Sequence, residues 1–281
     1  MKPRPPTGRR LANLVVSLSA AASALIGIVI LFWIISVVLI RGVGALNLAF
    51  FTQMPTPPGV GGGGLANAIV GTLVLTVVAT LAAVPLGSLA GIYLAEFGGE
   101  SRAGDYSRFS ANVLMGMPSI IVGVFAYAIV VIPLGHFNGY AGALALAILM
   151  LPLIARTTED MLRLVPNTLR EAALALGAPR WKVILAVVFR AAKGGLITGT
   201  LLAVARISGE TAPLLFTALT SPYMMSSLGQ PTPNLTVTIF NYAMSPYPDW
   251  QQKAWGASLL ITVGVLALTL LTRYILGERK T

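Results

Sequence analysis

Arg206 and Glu210 lie in LLAVARISGETAPLLFTAL, residues 201–219, a stretch otherwise apolar enough to enter a lipid bilayer. Four residues apart, they share one helical face and come close enough to pair. A charge near the bilayer centre costs on the order of 3 kcal/mol, so the two must face protein or water rather than lipid. Thr211 adds a hydroxyl beside them. Pro213 predicts a kink, because it leaves the carbonyl of Gly209 without a partner. Freed backbone at membrane depth is tolerated where protein covers it or where it lines a cavity. Two roles fit these residues. The pair bridges helices and fixes the register of the bundle, or Arg206 offers its planar fork of donors to a passing oxyanion. In the second role Glu210 orients the arginine and keeps the site from becoming a trap, since transport needs release as much as binding.

Other chemistry finds little support. The chain has no cysteine and a single histidine, His136, so neither a thiolate nor a multi-histidine metal site exists. The glycine run in TQMPTPPGVGGGG (52–64) suggests a phosphate loop, but no GxxxxGK[ST] pattern occurs, and nucleotide hydrolysis by that route is excluded. An intramembrane enzyme lacks its nucleophile and base.

A second group of residues reads as a docking element. Thr168 and Glu171 in NTLREAALALGAPRW have capping-box spacing and predict a helix from Leu169. Leu169, Ala172, Ala173 and Leu176 fall on one small apolar face. Gly177 offers a left-handed stop, Pro179 blocks continuation, and a second helix begins near Trp181. A helix of about eight residues is unstable alone in water and must dock, either on a partner or on its own chain.

The elements that position these groups follow from composition. The chain of 281 residues is 56% hydrophobic and 10% charged, against about 25% charged for a soluble domain. Six segments reach about the length needed to cross a membrane: 14–40, 66–94, 111–134, 139–155, 194–219 and 254–276. The first continues too far to be a cleaved signal peptide. Lys and Arg number four in the N-terminal tail (1–13), two in 95–110, seven in 156–193 and three at the C-terminus, so 16 of 19 fall on one side. That side is cytoplasmic by the positive-inside rule, with both termini inside. Arg41 and Lys253 lie outside, and the spread of the basic residues over separate loops argues against nucleic acid. Trp250, Trp255 and Tyr140 fall at outer ends, where amphipathic rings favour the interface. GSLAG (87–91) and GGLITG (194–199) pair glycines four apart, which permits close helix approach, and Pro85 predicts a kink in the second span. Residues 52–64 read as a flexible outer connection. The longer outer loop 220–253 packs over the external mouth, contacts an external partner, or is simply a packed re-entrant or surface loop.

EAALALG (171–177) resembles the cytoplasmic EAA motif of ABC-importer permeases, with Glu171, Ala172, Ala173 and Gly177 matching position by position. The motif's usual leucine–proline ending is replaced here by Phe189 and Arg190. ARISGETAPLLFTAL (205–219), GGGLANAIVGTL (62–73), GMPSIIVG (116–123) and VTIFNYAMSPYPDWQQKAW (237–255) resemble the PstA-type permeases of phosphate ABC importers. The resemblance implies an all-α, six-span permease domain covering residues 1–281, with 171–177 coupling to an ATPase. It implies a heterodimer with a related permease and two ATP-binding subunits that carry the ATP and Mg, with no cofactor on this chain. It also implies an external phosphate-binding protein and an inner (plasma) membrane location. Alternatives left open are another oxyanion, sulfate or molybdate, and a passive channel or scaffold that never couples to ATP.

Overall fold

The computed structural model describes residues 6–99 and 101–277. Lys2, Arg4, Arg279 and Lys280, counted above for orientation, lie outside the described residues. The elements are α1 (Pro6–Val43), α2 (Leu48–Thr52), α3 (Ala66–Glu96), α4 (Arg102–Gly116) and α5 (Ser119–Leu134). They continue as α6 (Gly139–Arg163), α7 (Asn167–Ala175), α8 (Arg180–Ile207), α9 (Ala212–Leu215), α10 (Leu235–Ala243) and α11 (Pro248–Gly277). Among the described residues five helices are long and apolar enough to cross a membrane, and six if the bent pair α4–α5 counts as one. The chain is a multi-pass, all-helical membrane protein.

Two of the six expected spans are shifted or broken. The apolar run 111–134 bends by 101° between α4 and α5. Pro118 has no amide to donate and drives Met117 out of the helical region, to φ −73° and ψ 137°. The run 194–219 does not form one helix either. Its helix starts fourteen residues earlier, at Arg180, passes through a wider π-type stretch at Val183–Val188, and stops at Ile207. Pro85, by contrast, leaves α3 continuous from Ala66 to Glu96.

The core forms where α3, α6 and α8 approach closely. A Cβ on Gly91 would meet the Ala155 carbonyl and Thr158 Cβ at 2.5 Å, and one on Gly87 would meet Ile154 Cβ at 2.8 Å. Gly195 and Gly199 give α8 the same access to Met161 and Thr157 of α6. Both glycine pairs read from the sequence are therefore helix-packing positions. Around them Leu75, Ala79, Leu146, Met150, Ile154, Ala203 and Ile207 make one buried cluster.

The two outer connections are more ordered than their composition suggests. Residues 52–64 are tied down: the amides of Gly64, Leu65 and Ala66 donate to the carbonyls of Met54, Phe50 and Gln53 at 3.0, 2.8 and 3.2 Å. The loop expected to be flexible is held because its glycines let backbone lie against backbone. The 220–253 segment folds back into the bundle. Asn234 caps α10 by accepting from the Val237 amide at 3.0 Å, and Leu235, Thr236, Val237, Thr238 and Tyr242 are buried. Tyr242 stacks on Trp250 with centroids 4.3 Å apart, and the Arg41 guanidinium lies over the Trp255 ring. Helix α1 packs along α11 and leaves most of its apolar surface exposed on the single chain.

Candidate functional site: a polar cavity between two broken helices

Helix α8 ends in hydrogen bonds that close it. The Ser208 hydroxyl donates to the Ala205 carbonyl at 2.8 Å, and the amides of Gly209 and Glu210 donate to the carbonyls of Arg206 and Ile207 at 3.3 and 3.1 Å. Pro213 then occupies the first turn of α9, where a missing amide costs nothing. Gly209 and Pro213 thus mark a break rather than a kink in a continuing helix. Arg206 is in the last turn of α8 and Glu210 lies past its end, so they do not share a helical face. Among the described residues no ion pair joins them.

They nevertheless meet at one cavity of about 100 Å³, lined by Leu114, Met115, Met117, Ser119, Leu149, Leu153, Arg206 and Glu210. Two breaks, one after α4 and one after α8, face each other there across the middle of α6. Leu149 is ten residues into that helix, about 15 Å from its start at 1.5 Å per residue. Helices α5 and α9 touch closely, since a Cβ on Gly123 would lie 2.5 Å from Pro213 Cα. Ser119 opens α5 at the cavity without a side-chain cap, so the positive end of that helix dipole lies at the wall. Glu210 is fixed from behind, its carbonyl accepting the Thr236 hydroxyl of α10 at 2.9 Å. Thr211 is half-buried as the residue preceding α9 and is not among the lining residues. Arg206 itself is exposed on the single chain. A guanidinium, a helix N-terminus and an unpaired carboxylate around a small opening can bind an oxyanion reversibly.

The second group lies at the far end of α6. Helix α7 runs from Asn167 to Ala175 with Pro166 before it and no side-chain cap, so the expected Thr168–Glu171 capping box does not form. Gly177 does stop the helix, at φ +78°. Its amide donates to the Leu174 carbonyl at 2.9 Å. Of the expected apolar face only Ala173 packs inward, while Leu169 and Leu176 stay exposed, Leu176 at 89%. Glu171 and Ala172 are exposed as well. Arg170 anchors the helix from its other side. Its Nη2 reaches Glu96 Oε1 of α3 at 2.9 Å and the Leu162 carbonyl at 2.8 Å, and Nη1 bonds the Val165 carbonyl. Exposed Leu164, Leu174 and Trp181 extend the apolar surface around it.

A third cluster escaped the sequence. Glu159 is fully buried, accepts from Arg108 Nε at 2.7 Å and from Arg156 Nη1 at 2.6 Å, and forms an ion pair with Arg163 Nη2 at 2.9 Å. Arg108 also reaches Asp105 and the carbonyls of Leu94 and Gly99. One carboxylate thereby joins α3, α4 and α6 at the end nearest α7. The available signal was the spacing Arg156, Glu159 and Arg163 at i, i+3 and i+7, which one helix face would collect.

Breaks that line a polar cavity, together with an exposed apolar helix at one end of the bundle, define a membrane transport subunit. Residues 83–277 match the binding-protein-dependent transport system inner membrane component family. The inward-facing MetNI methionine ABC transporter has the same fold, at TM-score 0.62 and 19% identity over 76% of this chain and 95% of that one. A bacterial ABC transporter that imports the acidic polysaccharide alginate matches at TM-score 0.58 and 13% identity, over 77% of this chain and 80% of that one. The phosphate transport system permease protein PstA of Yersinia pestis is 48% identical over 97% of this chain and 92% of its own length. That of Haemophilus influenzae is 48% identical over 92% and 91%. The chain belongs to the binding-protein-dependent transport permeases, and within them to the PstA family.

Proposed function

We propose that this chain forms half of the translocation path of an ATP-driven phosphate importer in the inner (plasma) membrane, with both termini cytoplasmic. The observation that carries this is Arg206. It is a guanidinium at membrane depth, exposed on the single chain, with no carboxylate partner among the described residues, at a cavity made by two helix breaks. Such a charge at the bilayer centre costs on the order of 3 kcal/mol, and a related permease subunit closing over that face would replace lipid with a polar path. Phosphate passing there meets donors from Arg206 and from the first turn of α5, with Glu210 limiting how tightly it is held.

Coupling falls to α7. Its exposed Glu171, Ala172, Leu169 and Leu176 fit the cleft of a cytoplasmic ATPase subunit, one of two. ATP is bound there with Mg and hydrolysed there, so this chain is not itself an enzyme. An external phosphate-binding protein delivers substrate at the opposite end. Radiolabelled phosphate uptake through the assembled complex carrying Arg206→Gln tests the path, with ATPase activity and subunit stoichiometry measured alongside. Uptake is expected to be lost with the complex intact. Normal uptake would remove Arg206 from the path and leave its charge a packing feature.

A further inference from the structure

We propose that the cavity where α2, the glycine loop and the first turns of α11 meet is a second anion site, built for a protonated inorganic oxyanion such as hydrogen phosphate and centred on Lys253. Lys253 is only 8% exposed. Its Nζ donates to the Thr56 hydroxyl at 3.0 Å, and that hydroxyl turns its own proton toward the carbonyls of Val60 and Gly62 at 2.9 and 3.0 Å. Two of the three ammonium protons are left over. Among the described residues no carboxylate comes within 4 Å of the nitrogen. A buried cation whose one hydrogen-bond partner is neutral, with the Asp249 carboxylate acting on it only from beyond 4 Å, is costly, and an anion is the group that removes the cost.

The surroundings supply the rest of such a site. Lys253 lines a cavity of about 110 Å³ with Gln252, Asn47, Gly62, Gly63 and Asp249. Gly62 and Gly63 have φ of +84° and +71°, and neither amide donates to a protein acceptor among the described residues. Successive unspent amides in such a turn form an anion-binding concavity. A Cβ on Gly62 would meet nothing within 4 Å, so the loop is open at that point. Asp249, exposed one turn before Lys253, completes the lining. A carboxylate there repels a fully ionised oxyanion and accepts a hydrogen bond from a P–OH group, which hydrogen phosphate has and sulfate lacks.

This site shares no residue with the Arg206 cavity, lies at the end of the bundle away from α7, and does not depend on Arg206 being on the path. The test is equilibrium dialysis of the purified full complex, without the delivery protein, against ³²P-phosphate and ³⁵S-sulfate. Subunit stoichiometry is checked for each variant. Lys253→Met should weaken phosphate binding at one site per chain by at least about 30-fold, the loss expected when a buried charge pair is broken. Lys253→Gln offers Thr56 a donor without the charge, so it should weaken binding as much as Lys253→Met does. Arg206→Gln should leave the site intact. Asp249→Asn, on an exposed side chain, should narrow the preference for phosphate over sulfate. Binding indifferent to Lys253→Met overturns the proposal. So does binding retained in Lys253→Gln, which makes Lys253 a latch for the loop, and so does loss of all bound phosphate in Arg206→Gln. An unchanged phosphate-to-sulfate ratio in Asp249→Asn overturns the assignment to a protonated oxyanion.

Discussion

Replacing Glu159 by Gln keeps the shape of the side chain and removes its charge. In the structure that carboxylate, 1% exposed, is the shared ion-pair partner of Arg108, Arg156 and Arg163, whose side chains are 17%, 27% and 49% exposed. Breaking a buried pair from one side costs about 3–5 kcal/mol, because the opposite charges stay behind. Arg163 is half in solvent and contributes little, so the weight falls on Arg108 and Arg156, and the lower end, about 3 kcal/mol, is expected. Near 1.4 kcal/mol per factor of ten, that raises local opening roughly 100-fold. Amide hydrogen exchange on the assembled complex, read over residues 102–116 and 156–163, measures it directly. Asp105→Asn serves as the control, since Asp105 is 69% exposed and such a pair is worth under about 1 kcal/mol. If exchange in Glu159→Gln rises no more than in Asp105→Asn, the cluster does not hold these helices together and the reasoning fails.

Two further outcomes follow from the packing. Gly91→Val places side-chain atoms against the Ala155 carbonyl and Thr158, and overpacking backbone of this kind costs about 3 kcal/mol. The expected result is a marked loss of monodisperse complex on size exclusion, and wild-type yield would contradict the close approach of α3 and α6. Leu176→Asp puts a charge on a side chain that is 89% exposed, so the subunit should fold and insert normally. Binding to the ATPase subunits, followed by pull-down, should fall by at least tenfold, as for an anchoring side chain at an interface. Unchanged binding would move the docking surface away from α7.

Much of this was legible from residue types. Gly177 stops α7, the paired glycines mark the tight helix contacts, and Arg206 with Glu210 marks the cavity. Each depends on local chemistry that a sequence displays. What failed was register over distance. The apolar run resumes after RISGET (206–211) and carries on to 219, so the segment reads as one span and does not announce that α8 stops at Ile207. The Ser208 hydroxyl and Pro213 decide that end, and they moved Glu210 off the helical face it was expected to share with Arg206. Glu159 was hidden for a related reason. Its first partner, Arg108, is 51 residues away, and the helix carrying it had been expected to end at 155, short of the Arg156–Arg163 face. The glycine loop misled in the opposite direction, since composition alone cannot distinguish glycines that give freedom from glycines that let two backbones touch.

Helix α6 carries the cavity wall at Leu149 and Leu153 and the buried carboxylate at Glu159, and a three-residue connection joins its end to the start of α7. Within it Pro152 is the one residue that cannot donate to the turn above, leaving the Ile148 carbonyl without that bond. From Leu153 to Arg163 the rod is uninterrupted for about 15 Å, and Glu159 clamps its lower half to α3 and α4. If α7 couples to an ATPase as proposed, the part of α6 between its clamped base and the cavity wall has one missing helical bond, the one at Pro152. The turn that lacks a hydrogen bond thus lies at the cavity wall, between Leu149 and Leu153.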